Sequence, residues 1–156
     1  MLGHFGFSYV GCVYLLMLFL PNYMWAKKKP KGYDPSDESK LFLAFERIGQ
    51  VLVTSCALIF SDFNLVAFTW WSSWLILSFI SMLIYELFWY RYFKAPTLKN
   101  FYRSFFKVPV PGASLPVAAF LLLGIYGKVI WMVIAIIILG VGHIGIHIQH
   151  ARKLSG

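Results

Sequence analysis

The sequence predicts an all-α membrane protein: a bundle of five transmembrane helices with an amphipathic interfacial helix between the third and the fourth, in a single integral membrane domain over residues 1–156. The first observation is composition, since 60% of the residues are hydrophobic and 13% are charged, against about 25% charged in a typical soluble domain. The second is that several apolar runs approach or exceed the roughly 20 residues that a helix needs to cross a bilayer core of about 30 Å. The third is that lysine and arginine cluster in alternate loops between these runs.

Five apolar runs are the candidate spans. They cover residues 5–26, 42–61, 70–92, 109–126 and 128–149. We expect the first to be retained and not cleaved as a signal peptide, because its lysines follow the apolar stretch and no positive region precedes it. The fourth has Pro109, Pro111 and Pro116 near its start and Gly124 and Gly127 near its end. Proline is tolerated in the first turn of a helix, so we expect a span here, and four spans with a re-entrant segment are the alternative.

The basic residues predict the orientation of the chain. They lie in the first loop (residues 27–40), around the third loop (residues 91–107) and in the tail, whereas the second loop has none and the fourth has only Lys128. An odd number of spans places all three basic segments on one side, and the positive-inside rule makes that side cytoplasmic. We therefore expect a multi-pass protein of the bacterial cytoplasmic (inner) membrane, with its N-terminus outside and its C-terminus in the cytoplasm. The net charge of +8 then indicates anionic lipids as partners and requires no nucleic acid.

The third loop has a pattern of its own over residues 97–107. Apolar and aromatic residues repeat there at helical spacing, and Lys99, Arg103 and Lys107 recur every four residues on another face. This predicts an interfacial helix with its aromatic face below the headgroups and its basic stripe on lipid phosphate. The alternative is a plain amphipathic linker. The first loop mixes charges of both signs, and there we expect a solvated turn without a site.

Polar residues within the spans are the best indicators of function, because they are costly in lipid. The candidate ligand-binding residues of the second and third spans are Glu46, Arg47, Gln50, Glu86 and Arg91. The fifth span adds His143 and His147, and the spacing places the carboxylates and imidazoles within one or two turns of the inner boundary. They could line a polar pocket open to the cytoplasm. Ion pairs at the helix ends are the alternative for the two glutamates.

The pair His143 and His147 also predicts a metal site as one hypothesis. Residues at i and i+4 place two imidazoles on one side of a helix, and carboxylates of other helices could complete the ligand set for a divalent metal, or the pair could hold a haem. The HExxH form with its general base is absent, and no catalytic residue is assigned. The alternatives are a proton or ligand site with imidazoles that titrate near neutral pH, and structural hydrogen bonding. The flanking Gly140 and Gly142 predict close packing of this helix on another.

The stretches FERIGQVLVT, ALIFSDFN, LPVAAFLLLGIYGK and ILGVGHIGIH cover about half of the chain. In these stretches the chain resembles an uncharacterised group of small multi-pass membrane proteins of low-GC Gram-positive bacteria. The resemblance implies a membrane protein and no particular activity.

Three function classes follow from these observations. The first is a small membrane protein that binds a small ligand or ion in the cytoplasm-facing pocket, as a transporter or sensor. The second is a metal-dependent membrane enzyme acting on a lipid-like substrate, with Glu46 or Glu86 as ligand or general base. The third is a non-catalytic partner or immunity-type subunit. Association into a homo-oligomer stays open, because no heptad pattern or strong GxxxG motif indicates a particular assembly.

Overall fold

The computed structural model describes residues 2–154, and over this range the regular elements are helices. The α-helices are α1 (Tyr9–Lys27), α2 (Lys40–Ile59), α3 (Ser73–Lys94), α4 (Leu98–Tyr102), α5 (Pro111–Tyr126) and α6 (Ile130–Lys153). Short 3-10 helices occupy Ser61–Phe63 and Trp70–Ser72. Four helical stretches, α1, α2, Trp70–Lys94 and α6, are long and apolar enough to cross a membrane. The chain is therefore an all-helical, multi-pass protein embedded in a membrane, as predicted.

The helix bounds differ from the predicted spans at the two ends of the chain. The first helix begins at Tyr9 instead of residue 5, because the side chain of Ser8 accepts a hydrogen bond from the Gly11 amide (2.9 Å) and caps it. The residues before the cap are extended, and the amide of Gly6 donates to the carbonyl of Ile59 (2.9 Å). The last helix continues to Lys153. The region predicted as the fourth span forms α5, a shorter apolar helix of 16 residues, with Pro111 at its first position, where the missing N–H has no cost.

The long helices form a closed ring in the order α1, α2, α6, α5, α3. The most extensive contacts join α2 to α6, α3 to α5 and α5 to α6, and α1 completes the ring with smaller contacts to α2 and α3. Two glycines explain the closest of these contacts. A Cβ atom at Gly142 would collide with the α2 backbone at Phe42 and Glu46, and a Cβ atom at Gly49 would collide with the α6 backbone at Leu139. Because these two glycines have no side chain, the backbones of α2 and α6 are in direct contact. The close packing predicted at Gly142 is present.

The connections divide into two groups at opposite ends of the bundle. At one end the first loop contacts the end of α6, where Lys153 Nζ bonds Asp37 (3.1 Å), and α4 also packs there. At the other end Trp71 Nε1 donates to the Tyr126 carbonyl (2.9 Å), and the residues before α1 pair with those after α2. The three basic segments thus share one end, which we name the basic end, and Lys128 lies at the opposite end.

The interfacial helix predicted over residues 97–107 is mostly wrong. The helix ends at Tyr102, Arg103 is already extended, and Phe105 and Val108 pair in a tight turn in which Lys107 has a positive φ of 63°. The basic stripe therefore does not lie along one helix, although Lys99, Arg103 and Lys107 are all exposed. Phe101 of the predicted lipid-facing side meets protein instead, because it is buried and stacks on Trp25 (centroids 5.4 Å).

The physical reason for the early end of α4 is a clamp by Arg91. Its guanidinium donates to the carbonyls of Asn100 (2.9 Å), Arg103 (3.2 Å) and Ser104 (3.3 Å). These bonds satisfy carbonyl groups that a longer helix would have paired with its own amides. The arginine thus turns the chain out of the helix and holds the loop that follows.

Candidate functional site

A cavity of about 510 Å³ lies between α1, α2, α5 and α6. Its lining comes from all four helices: Leu18, Phe19, Asn22, Gln50, Val51, Val53, Thr54, Ser55, Pro116, Val117, Phe120, Ile136, Leu139 and His143. The volume falls within the range of about 300–1,000 Å³ that is typical of small-molecule sites. Apolar walls with a few polar groups are also typical of such sites. This cavity is the candidate functional site.

The cavity exists because α1 and α2 touch only near one end. A Cβ atom at Gly11 would collide with the carbonyl of Ala57, so the helices are in close contact there. Towards the basic end they separate, and the cavity occupies the space between them. Phe19 and Val51 line the cavity and are also exposed on the outside of the bundle. The cavity therefore opens sideways, towards the surface that lipid would cover.

The polar side chains that line the cavity come from α1, α2 and α6. Gln50 and Thr54 stand one turn apart on α2, as their spacing predicts. On α1, the side-chain amide of Asn22 donates to the Leu18 carbonyl and to the Tyr85 hydroxyl, both at 2.7 Å. The remaining side-chain oxygen of Asn22 is an acceptor, and Gln50 and Thr54 can both donate and accept. The lining thus offers uncharged hydrogen-bonding groups beside a large apolar surface.

Glu46 and His143 form a hydrogen-bonded pair at the basic end of the cavity. The Nδ1 atom of His143 and the Oε1 atom of Glu46 lie 2.5 Å apart, and their side chains are 21% and 17% exposed. Gly142 brings the two helices together at this level. The bond links α6 to α2, and it places one acidic and one basic group beside the cavity. Charge-assisted hydrogen bonds of this kind are shorter and stronger than neutral ones.

His147 continues the same face of α6 by one turn. Its ring lies 4.6 Å from that of His143, centroid to centroid. On its other sides it meets the rings of Phe101 (5.6 Å) and Tyr102 (5.8 Å) of α4. The short helix α4 thus covers His147 from the basic end.

His150 belongs to a second cluster that the sequence analysis missed. Its Nε2 atom bonds Glu38 Oε1 (2.9 Å), and the Tyr33 hydroxyl donates to the same oxygen (3.0 Å). The imidazole is stacked between the rings of Tyr33 (5.2 Å) and Tyr102 (5.8 Å). The first loop, which was expected to be solvated, thus packs against the end of α6 at Tyr33 and Glu38. The pattern YDPSDE in a loop of mixed charge carried no periodic signal that could have identified them.

Two phenols of this cluster have perturbed acidities. Burial raises the pKa of Tyr33 well above its ordinary value, and the negative charge of Glu38 beside it raises the pKa further. Burial likewise raises the pKa of Tyr102. Both phenols stay protonated through the physiological range and remain hydrogen-bond donors.

Glu86, Arg91 and Arg47 do not join the site. Glu86 lies on α3, which packs against α5 and α1, and its Oε1 atom is buried without a hydrogen-bond partner among residues 2–154. Arg91 is committed to the α4 carbonyls, and Arg47 is exposed on α2 and does not line the cavity. The residues that were predicted to line one pocket, from their similar depth in the membrane, therefore lie on different sides of the bundle. Depth along a helix does not determine which way a side chain faces.

The metal hypothesis for His143 and His147 finds no ligand set. Within the part of the chain that the structure describes, no group of three or more His, Cys, Asp and Glu residues is arranged to hold a metal ion. The carboxylate that reaches His143 bonds its ring nitrogen directly, and Glu86 is on another face of the bundle. The rings of Phe101 and Tyr102 lie beside the His147 imidazole.

No protein-family model, curated protein or solved structure matches the chain. Function therefore has to be inferred from the cavity and from the groups that surround it.

Proposed function

We propose that the protein is a five-span membrane protein that binds a small, uncharged, amphipathic ligand in the cavity between α1, α2, α5 and α6, as a transporter or sensor. The observation that carries the proposal is the cavity itself: about 510 Å³, apolar over most of its wall and open towards the lipid-facing surface. A ligand of this kind partitions into the bilayer and could enter from the side.

Chain connectivity supports α5 as the fifth span. The preceding long helix, α3, ends at the basic end, and α6 begins at the opposite end. The chain must cross between them, and α5 is the element that does so. Its 16 residues give a length of about 24 Å, short for an average bilayer core of about 30 Å, and local thinning or flanking residues accommodate such a mismatch.

The distribution of charge supports the orientation. All three basic segments lie at the basic end, so the positive-inside rule places this end in the cytoplasm and the N-terminus outside, in a bacterial cytoplasmic membrane. The exposed Lys99, Arg103 and Lys107 are then beside the inner leaflet, where each Lys or Arg near anionic lipid contributes about 1 kcal/mol of attraction.

The polar lining indicates the chemistry of the ligand. No Lys or Arg lines the cavity, so it offers no fixed partner for an anionic head. The carboxylate of Glu46 is bonded to His143 Nδ1, which leaves no free carboxylate for a cationic head. The amide and hydroxyl groups of Asn22, Gln50 and Thr54 suit a hydroxyl or carbonyl group instead.

Three probes with one chain length test this chemistry. Purified protein in lipid nanodiscs is titrated with octanol, octanoate and octylamine, and binding is followed by the thermal unfolding midpoint. We expect octanol to raise the midpoint most, because only its head is uncharged. Preference for octanoate or octylamine would overturn the proposed ligand chemistry, and no shift with any probe would count against the cavity as a binding site.

Two tryptophan substitutions on α2 provide the matched test of location. Ser55→Trp adds a large side chain at a position that lines the cavity, whereas Ile48→Trp adds the same side chain outside the lining. We expect Ser55→Trp to abolish the octanol shift and Ile48→Trp to retain it. Equal effects of the two variants would mean that octanol binds elsewhere.

A further inference from the structure

The three histidines of α6 connect two separate spaces. His143 lines the cavity described above, and His150 lines a cleft of about 160 Å³ at the basic end, formed by the first loop, α4 and the end of α6. His147 lies between them on the same helix face. A continuous line of titratable side chains therefore runs from the interior of the bundle to its aqueous end.

Each step along this line is a contact between side chains. Glu46 bonds His143 at 2.5 Å, and the His143 and His147 rings are 4.6 Å apart. The ring of Tyr102 lies 5.8 Å from both His147 and His150. At the cleft, His150 bonds Glu38 at 2.9 Å. Side-chain rotations on the picosecond-to-nanosecond scale can bring neighbouring nitrogen and oxygen atoms of such a series into hydrogen-bonding distance.

The surroundings of the line are rich in groups that bind protons. The titratable and charged groups that face it are Glu46 from α2, Tyr33, Asp34, Asp37 and Glu38 from the first loop, Tyr102 from α4, and Lys153 from α6 itself. The carboxylates of this set balance the positive charge of a protonated imidazole.

From this geometry we infer that His143, His147 and His150 form a proton path that exchanges protons between water in the cleft and the Glu46–His143 pair at the cavity. In each step one imidazole nitrogen gains a proton and the other nitrogen of the same ring gives one up, so the ring returns to its neutral form in the other tautomer. Tyr102 bridges the step between His147 and His150 by accepting a proton at its hydroxyl oxygen as it donates its own.

The path would let protons regulate binding at the proposed ligand site, and this part of the inference rests on the proposed function. A proton delivered to the Glu46–His143 pair raises the net charge of the pair by one. A change of charge at the end of the cavity alters the free energy of ligand binding, so proton uptake and ligand binding are coupled. The protein would then couple the movement of a ligand to protons in a transporter, or report cytoplasmic pH in a sensor.

Proton exchange at the His143 ring tests the path without any ligand. The protein is labelled with ¹⁵N-histidine and placed in nanodiscs of phosphatidylcholine and phosphatidylglycerol, and exchange of ring N–H protons with water is measured by NMR. Loss of one resonance in each His→Phe variant assigns the signals. We expect His147→Phe, which keeps an aromatic ring against Phe101 and Tyr102, to slow exchange at His143 by about tenfold or more.

His4 provides the control, because it lies at the opposite end of the bundle and its side chain is 89% exposed. His4→Phe should leave exchange at His143 unchanged. Equal exchange at His143 in the wild type and in His147→Phe would overturn the path and show that water reaches the cavity by another route. If His147→Phe does not fold, His150→Phe interrupts the same path at the cleft and has the same expected result.

The two proposals can fail separately. Slowed exchange in His147→Phe together with no binding of octanol supports the path and counts against the ligand site. Octanol binding with unaltered exchange overturns the path alone.

Discussion

Glycine residues set how closely α2 and α6 pack, and this packing determines which polar side chains come into contact. Gly142 of α6 and Gly49 of α2 each face the backbone of the other helix, so the two helices touch where a larger residue would hold them apart. His143 follows Gly142 directly and thereby reaches the carboxylate of Glu46. The Glu46–His143 hydrogen bond is thus a consequence of the missing side chain of Gly142.

A single methyl group at this contact should be costly. Gly142→Ala places a Cβ atom against the α2 backbone, which cannot move aside as a side chain can, and we expect a loss of about 1–3 kcal/mol in the free energy of unfolding. Gly140→Ala is the matched control, because its nearest neighbour is the Val117 side chain, 3.2 Å from the added atom. The measurement is unfolding in mild detergent, and equal stability of the two variants would contradict the close contact of α2 and α6.

At the opposite end, Asp62 should make stability depend on pH. Partial burial alone would raise the pKa of its carboxyl group, but hydrogen bonds from the His4 amide (2.6 Å) and ring (2.8 Å) outweigh burial and lower the pKa below its usual value. The folded state then favours the carboxylate. Its stabilising contribution is fully present above the unfolded pKa of about 3.9 and is lost as pH falls through the lower folded value.

The test of this pH dependence is the difference in unfolding midpoint between the wild type and Asp62→Asn. We expect the wild type to be more stable near neutral pH and the difference to close as the solution is acidified below about pH 4. Asp37→Asn is the control, because its salt bridge with Lys153 is exposed and such pairs contribute little. A difference that grows on acidification would show that the sign is wrong.

The short helix α4 illustrates how one element depends on side chains from another. It places Phe101 against Trp25 of α1 and Tyr102 against the histidine face of α6. Five residues cannot form a stable helix alone, so these contacts and the Arg91 clamp hold it in place. The helix therefore covers the histidine line at the basic end of the bundle only while the clamp is intact.

Removal of the clamp should loosen α4 without unfolding the bundle. Arg91→Met keeps a long apolar stem beside Phe88 and Phe105 but loses all three hydrogen bonds to carbonyl groups. We expect amide hydrogen exchange to become faster by about tenfold or more at Phe101 and Arg103, while the amides of α2 stay protected. Arg47→Met, at an exposed position of α2, is the matched control, and unchanged exchange in Arg91→Met would mean that packing alone holds α4.

The elements differ in how far sequence could predict them. Long apolar runs identified α1, α2, α3 and α6, because hydrophobic length alone decides whether a helix can span a bilayer. The pattern over residues 97–107 was equally periodic, yet amphipathicity does not say whether an apolar face meets lipid or protein, and Phe101 meets protein.

The site was predicted in part. Glu46 and His143 do meet, but the hydrogen bond between His150 and Glu38 joins residues 112 positions apart, and no local sequence pattern encodes such a contact.

Over the whole molecule, the ring of five helices is packed most extensively at α2, α3, α5 and α6 and least at α1. The pairs α2–α6, α5–α6 and α3–α5 are packed along their lengths, whereas α1 meets its neighbours over smaller areas. The cavity lies beside this weakest member of the ring, and the connections at the basic end tie the remaining helices together. A ligand could enter or leave by a small movement of α1 relative to α2, with the other helices unchanged.

The five-span arrangement requires the two ends of α5 to lie on opposite sides of the membrane. Single cysteines at Lys107→Cys and Lys128→Cys, in a protein whose Cys12 and Cys56 are replaced by alanine, report this directly, because both lysines are exposed. We expect a membrane-impermeant maleimide to label Lys128→Cys in intact cells and Lys107→Cys only after the membrane is permeabilised, since in the proposed orientation the basic end faces the cytoplasm. Labelling of both positions from the same side would show that α5 is re-entrant, and labelling of Lys107→Cys alone in intact cells would reverse the orientation.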